Sequence, residues 1–247
     1  MTGLVALTER QVRASLRNLD LAFAVLAPVL TFVGFTFGLR NVIDTGGIPY
    51  PQYVLPAVVV AAMLYGALNT TDMAAAERSS ELGARLRTFP ISLYAPMTAR
   101  LLYCLIRGSV ALIAAFAIAY PLGFRMDGGA VFGAMFVVLS LTLTLALSFG
   151  AEATGARAKR SDTSSQLLLI PQLLLVLLST GMAPVESFPV WVQPFVAYQP
   201  ISQITETLRG FAGGRVDTIN LAITLAWCCG LLLGLGYLAV RGQRRRS

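Results

Sequence analysis

Side chains capable of bond chemistry are scarce in this sequence. Its 247 residues include no histidine, one lysine, three cysteines and twelve carboxylates. Without histidine, a metal site or an imidazole acid–base pair lacks its commonest ligand or base, so neither a metal site nor a catalytic residue is assigned. No glycine-rich loop ends in Gly-Lys-Ser or Gly-Lys-Thr, and Lys159 stands in Ala158-Lys159-Arg160-Ser161. The chain therefore has no phosphate cradle of that kind. Cys104, Cys228 and Cys229 fall within apolar runs; two adjacent cysteines are poor disulfide partners, and all three read as packing residues.

What remains are charged and proline-rich stretches whose chemistry is docking and gating. In Glu77 to Pro90, ERSSELGARLRTFP, Glu81 and Arg85 stand four residues apart, and Leu82, Leu86 and Phe89 recur at helical spacing. This predicts a short helix with Gly83 inside it and Pro90 near its end. Between Ser179 and Gly214, Pro184, Pro189, Pro194 and Pro200 interrupt the chain every five or six residues, with Phe188, Trp191, Phe195 and Tyr198 between them. Proline removes a backbone donor, and aromatics of this kind settle at headgroup depth. The apolar run Val190 to Tyr198 is too short to cross about 30 Å of hydrocarbon. The expectation is a broken hairpin that dips into the bilayer and returns, tolerable where protein covers its backbone; an interfacial loop with aromatic anchors is the alternative. Glu186 and Arg209, of opposite charge within it, either pair across an outer gate or face water.

The elements that must position these stretches are apolar. Hydrophobic residues make up 56% of the chain and charged ones 13%, against about 25% charged in soluble domains, and the mean hydropathy is +0.70. Six spans are expected, near Leu19–Leu39, Tyr53–Thr70, Leu101–Leu122, Ala130–Phe149, Leu167–Thr180 and Ile219–Val240. The fifth is short. Ahead of the first, Arg10, Arg13 and Arg17 share one helical face while Val5, Val12 and Leu16 lie on another, as in a basic amphipathic helix lying on the membrane. No cleavage signal accompanies them, so an uncleaved start is expected. Residues 1–247 read as a single all-α membrane domain.

The net charge of +7 does not point to nucleic acid, because the basic residues cluster at span ends. Fourteen of the nineteen lie before the first span, after the second and fourth, and after the sixth. The excess of Lys and Arg places both termini in the cytoplasm. Arg107, inside the third span, is expected to snorkel toward the interface. Asp20 and Glu152 sit at span edges and the other carboxylates in connecting segments. That leaves no mid-membrane acid for an ion-coupled carrier, and the drive is expected to come from a partner.

The order Gly181-Met182-Ala183-Pro184, Phe188-Pro189-Val190-Trp191, Gln193-Pro194-Phe195, Gln199-Pro200-Ile201-Ser202 and Leu208-Arg209-Gly210-Phe211 resembles the last extracellular segment of ABC type-2 export permeases, in particular the daunorubicin-resistance branch. The resemblance implies a transmembrane subunit of an ATP-driven exporter of an amphipathic drug or complex lipid in the bacterial inner membrane. It implies a second permease, identical or paralogous, and two cytoplasmic ATPase subunits, which bind the ATP and Mg that this chain does not. Glu77 to Pro90 then resembles the coupling helix that docks into the ATPase. A polysaccharide- or glycolipid-exporting permease is the runner-up, and an ion-coupled drug carrier a further alternative.

The six-span reading fixes sidedness. A reporter fused after Ser247, or inserted between Arg157 and Ser161, is expected to read cytoplasmic, and one between Asp44 and Gly47 external. An external signal from the C-terminal fusion requires an odd number of crossings and excludes six.

Overall fold

The computed structural model describes residues 2–40, 47–79, 94–155 and 161–244. Among them every regular element is helical: α1 (Thr2–Arg17), α2 (Asp20–Gly38), α3 (Tyr50–Ser79), α4 (Ala95–Ala119), α5 (Gly129–Gly155), α6 (Ser161–Leu177), a 3-10 turn (Val185–Ser187), α7 (Gln193–Tyr198), α8 (Pro200–Gly213) and α9 (Thr218–Arg244). Five of these helices are long and apolar enough to cross a membrane: α2, α3, α4, α5 and α9. Helix α6 holds a shorter apolar stretch, Leu168–Leu177 among the described residues.

Helix α3 is the hub. It packs against α2, α4, α5, α6 and α8, and 72% of its most apolar stretch is buried, against 17% for α9. The core around it gathers Phe32, Leu55, Met63, Phe136 and Ile204, all almost fully enclosed. Outward-facing apolar residues such as Phe23, Leu30, Val138 and Leu233 leave a surface suited to lipid rather than water. The sequence reading ended the second span at Thr70, but the helix continues to Ser79, so Asp72 and Glu77 belong to a transmembrane helix and not to a loop.

Two local features aim the polar residues. Leu19 lies between α1 and α2 with φ 59°, a left-handed conformation that costs a non-glycine residue about 1–2 kcal/mol. It turns the chain so that α1 lies on α4 while α2 starts its own crossing. At the opposite end, the Gln52 side chain accepts from Arg125 N at 3.0 Å and donates to Arg125 O at 2.6 Å, tying the α4–α5 turn to the start of α3. The same turn donates from Asp127 N (2.9 Å) and Gly128 N (3.3 Å) to Ala212 O at the end of α8.

Gly128 permits that junction, since a Cβ there would lie 2.5 Å from Phe211 O and 3.0 Å from Gly214 Cα. Backbone, unlike a flexible side chain, cannot swing aside. Gly128→Ala is therefore expected to destabilise by about 1–3 kcal/mol, read as a lower thermal midpoint of the detergent-solubilised protein. An unchanged midpoint would mean that α8 is not seated on this turn.

Candidate functional site at the two ends of the bundle

At one end, the N-terminal halves of α2 and α4 meet the C-terminal ends of α3 and α5 around three arginines and three carboxylates. Arg100 donates from Nε to Glu152 Oε1 (2.5 Å) and from Nη2 to Glu152 Oε2 (2.8 Å). Its Nη1 stands 2.8 Å from Glu77 Oε2. Both Arg100 (5% exposed) and Glu152 (2%) are buried. Glu77 in turn faces Arg10 of α1 at 3.8 Å. Two turns deeper along α4, Arg107 Nε lies 3.2 Å from Asp20 Oδ2. The Tyr103 hydroxyl reaches the same carboxylate and lies 2.5 Å from Ser15 Oγ. Gly66 makes room for Arg107: a Cβ there would sit 3.1 Å from its Nη1.

This cluster corrects one sequence expectation and gives Asp20, Glu152, Arg100 and Glu77 partners that the sequence did not indicate. Arg107 does not snorkel; it is buried and paired. Asp20 and Glu152 are not idle span-edge residues but the acceptors of buried guanidinium groups. Arg100 does more than mark the cytoplasmic side. Glu77, assigned to ATPase docking, faces Arg100 and Arg10. A signal was available: Arg100, Tyr103 and Arg107 recur at spacings of three and four and so share one face of α4. The three arginines of α1 also separate in role, since Arg10 turns to Glu77, Arg13 pairs with Glu9 at 2.5 Å and Arg17 is exposed. The rest of the predicted coupling helix, Glu81, Gly83, Arg85, Leu86, Phe89 and Pro90, lies outside the described residues.

The other end is built on Arg209 of α8. Its Cζ lies 3.8 Å from the centroid of the Tyr53 ring, a cation–π contact. Its Nη2 donates to Tyr53 O (3.1 Å) and Thr180 O (3.3 Å), and Nη1 to Glu206 Oε1 (2.6 Å). Tyr53 OH donates to Thr180 O at 2.9 Å, while Thr180 N donates to Ser202 Oγ at 3.1 Å. One guanidinium thus ties α3, the residues after α6, and α8. Glu186 is exposed and makes no ion pair with Arg209, so the Glu186–Arg209 pairing is not formed; Glu206, one helical turn away, takes that place.

Between these ties the chain is broken into a 3-10 turn and the short helices α7 and α8. Pro194 and Pro200 lie in the first turns of α7 and α8, where the missing N–H costs nothing, so they start helices where the sequence reading had them interrupt the chain. Pro184 and Pro189 flank the 3-10 turn. Trp227 Nε1 donates to Tyr198 O (3.2 Å) and Thr224 Oγ1 to Gln203 O (2.9 Å). At 1.5 Å per residue, Trp227 and Thr224 lie roughly 14 and 9 Å along α9 from its start. Trp191, Phe195 and Tyr198 face outward, Phe188 is half-buried, and Val196 is buried.

Within α5, Ser140 Oγ donates to Phe136 O (2.8 Å), and Thr144 Oγ1 reaches both Ser140 O (2.9 Å) and Met63 Sδ of α3 (2.7 Å). Cys104 and Cys228 are buried, Cys229 is exposed, and none forms a disulfide.

A chain of apolar helices closed at both ends by paired arginines can carry a membrane conduit, and comparison with known proteins gives it a family. The model of the ABC-2 type transporter family matches residues 2–211. The chain belongs to that family. Relatives of this ABC-2 chain include the "Probable doxorubicin resistance ABC transporter permease protein DrrC" of Mycobacterium tuberculosis, 27% identical over 225 residues, 91% of this chain and 81% of that protein. The "Doxorubicin resistance ABC transporter permease protein DrrB" of the same organism is 31% identical over 221 residues, 86% and 75% respectively. The "Daunorubicin resistance ABC transporter permease protein DrrB1" of Streptomyces coeruleorubidus is 26% identical over 226 residues, 90% and 79%. Membership makes this ABC-2 chain a membrane-embedded permease that works with an ABC ATPase subunit.

Removing one partner of a buried ion pair strands the other. Arg100→Met, which leaves the buried Glu152 without its cation, is expected to destabilise the folded protein by about 3–5 kcal/mol, whereas Arg100→Met with Glu152→Leu, in which Glu77 still faces Arg10, recovers most of that loss. Thermal or denaturant unfolding of the purified variants reads both. Additive losses in the double variant would show that the two residues do not act as a pair.

Proposed function

We propose that this chain is the transmembrane subunit of an ATP-driven exporter that moves a large amphipathic molecule, drug or lipid, out of the cytoplasm or inner leaflet. The observation that carries this is the match, over 86–91% of the chain, to permeases named for doxorubicin and daunorubicin resistance. Among the described residues, Arg100, Arg107 and Arg209 pair with Glu152, Glu77, Asp20 and Glu206, so these charges do not stand free to select a small ion. That pairing favours partner-driven transport over proton coupling. In this reading the chain itself hydrolyses nothing: two ATPase subunits hold ATP and Mg, and a second permease, identical or paralogous, completes the conduit.

In the same reading the chain crosses a bacterial inner membrane six times, with α6 as the short crossing and both termini cytoplasmic. Helix α1 lies at the inner interface, its exposed Val5 and Leu16 toward lipid. Glu77 to Pro90 carries the coupling helix, and 3-10 turn, α7 and α8 form a re-entrant outer gate. The Trp227–Tyr198 contact, well inside α9, supports the dip, and the Arg209 ties support its closed position.

Docking of a short helix depends on a few apolar anchors. Leu86→Asp puts a carboxylate on that stripe; burying it unpaired costs several kcal/mol, and each 1.4 kcal/mol is about tenfold in affinity. Co-purification of the ATPase and ATP-dependent accumulation of daunorubicin in inverted vesicles are expected to be lost together, while membrane insertion is retained. Arg157→Gln, in the other cytoplasmic loop, is expected to keep both. Retention of the ATPase and of transport in Leu86→Asp would remove Glu77 to Pro90 from the coupling role.

A further inference from the structure

Helix α8 is bonded on two sides. On one it meets α9: Thr224 Oγ1 donates to Gln203 O (2.9 Å), and the Thr207 and Thr224 hydroxyls lie 2.8 Å apart. On the other lie residues 178–181, which belong with α3. Tyr53 OH donates to Thr180 O, and Gly181 is pressed so closely on α3 that a Cβ would lie 2.7 Å from Ala57 Cβ. Between α8 and this second group runs a seam. It is crossed from Gln199 Nε2 to Leu178 O, from Thr180 N to Ser202 Oγ, and by the Arg209 contacts. The far end of α8 is pinned, because Ala212 O accepts from the α4–α5 turn, which Gln52 holds to α3.

The seam is short of donors. Thr180 Oγ1 and Gln199 Oε1 are buried there without a hydrogen-bond partner, and Gln203 Oε1, one turn further on, is a third. Their residues are 4%, 4% and 6% exposed. Turning the amides over does not help, since each already gives its Nε2 to a carbonyl, Gln199 to Leu178 O and Gln203 to Ala197 O. Buried polar atoms are almost always partnered, and each one left alone penalises the closed arrangement by the water it has lost. On the α9 side, by contrast, the buried hydroxyls of Thr207 and Thr224 are both bonded.

We propose that the outer end opens along this seam. The start of α8 swings away from Tyr53 and residues 178–181 about its pinned Ala212 end, keeping its bonds to α9, and water entering the gap meets the three oxygens. This rests on the reading of α7 and α8 as an outer gate and adds which of its contacts parts. Arg209 holds the seam shut, and the unpartnered oxygens lower the work of opening it.

The test uses the full chain with its ABC ATPase subunit in nanodiscs, in a Cys104→Ser, Cys228→Ala, Cys229→Ala background. Ser202→Cys reports the seam and Thr207→Cys the α9 side; both positions are buried. Labelling of Ser202→Cys by a hydrophilic maleimide is expected to rise during ATP hydrolysis, while Thr207→Cys stays protected. Thr180→Val removes one unpartnered hydroxyl and leaves the backbone N and O bonds of residue 180 in place. It is expected to slow labelling of Ser202→Cys about tenfold and, in the otherwise unaltered chain, to raise the thermal midpoint. Equal labelling at the two positions overturns the proposal, as does a Ser202→Cys that stays protected while ATP is hydrolysed. So does a Thr180→Val midpoint that is unchanged or lower, a measurement that needs neither cysteine variant. ATP-dependent labelling of Ser202→Cys without movement of daunorubicin supports the seam and counts instead against the cargo reading.

Discussion

A guanidinium enclosed by helices has no water to solvate it, and the arrangement of this bundle follows from where Arg100 finds oxygen. Its fork takes both oxygens of Glu152 and one of Glu77, which brings the ends of α3 and α5 to the start of α4. In a low-dielectric interior such a pair repays its desolvation only when geometry and additional hydrogen bonds are good. Here the bidentate contact and the second carboxylate supply both. The Arg107–Asp20 pair repeats the solution for α2, so four spans are registered to one another at one end by charge, while apolar packing around Phe32 and Phe136 fills the space between without fixing which helix lies beside which.

The opposite end obeys the same rule with different groups. Arg209 has one carboxylate partner, Glu206, and otherwise spends its donors on the carbonyls of Tyr53 and Thr180. Carbonyl partners are weaker than carboxylates, so this end is held by many modest bonds, whereas the Arg100 end is held by few strong ones. Helix α3 carries both ends, Tyr53 near its start and Glu77 near its finish, which is why it is the most enclosed of the long helices.

Hydropathy alone made five long spans and a short additional apolar helix legible, because lipid-exposed helices must be apolar over their whole length. The ends of those spans were less legible. The helical run from Tyr50 to Ser79 passes through Asp72 and Glu77, and a reading that stops a span at its first charge does not see that Glu77 is met by Arg100, twenty-three positions further on, rather than by water. For the same reason Arg107 looked like a snorkelling residue: its partner Asp20 is eighty-seven positions distant. The proline pattern correctly marked the segment before α9 as broken, yet proline spacing does not reveal which prolines begin helices. Glu206 rather than Glu186 pairs with Arg209 because three residues along a helix bring side chains together, while the route from Glu186 passes through two turns whose directions the sequence does not state.

The distance between Asp20 and its partners matters before the fold exists. Tyr103 and Arg107 follow it by eighty-three and eighty-seven residues, so at about 5–20 residues per second the ribosome needs roughly 4–17 s to supply them. Throughout that interval the first span is a hydrophobic helix whose N-terminal carboxylate has the Ser15 hydroxyl but no cation from α4. Asp20 is tolerable there because the headgroup layer is still within reach. The same residue a turn or two further along α2 would have to wait in hydrocarbon for a partner not yet made. The placement of acid early in the chain and base late thus sets an order of assembly: α2 enters first and remains loosely seated, and it is the arrival of α4 that draws its end into the bundle.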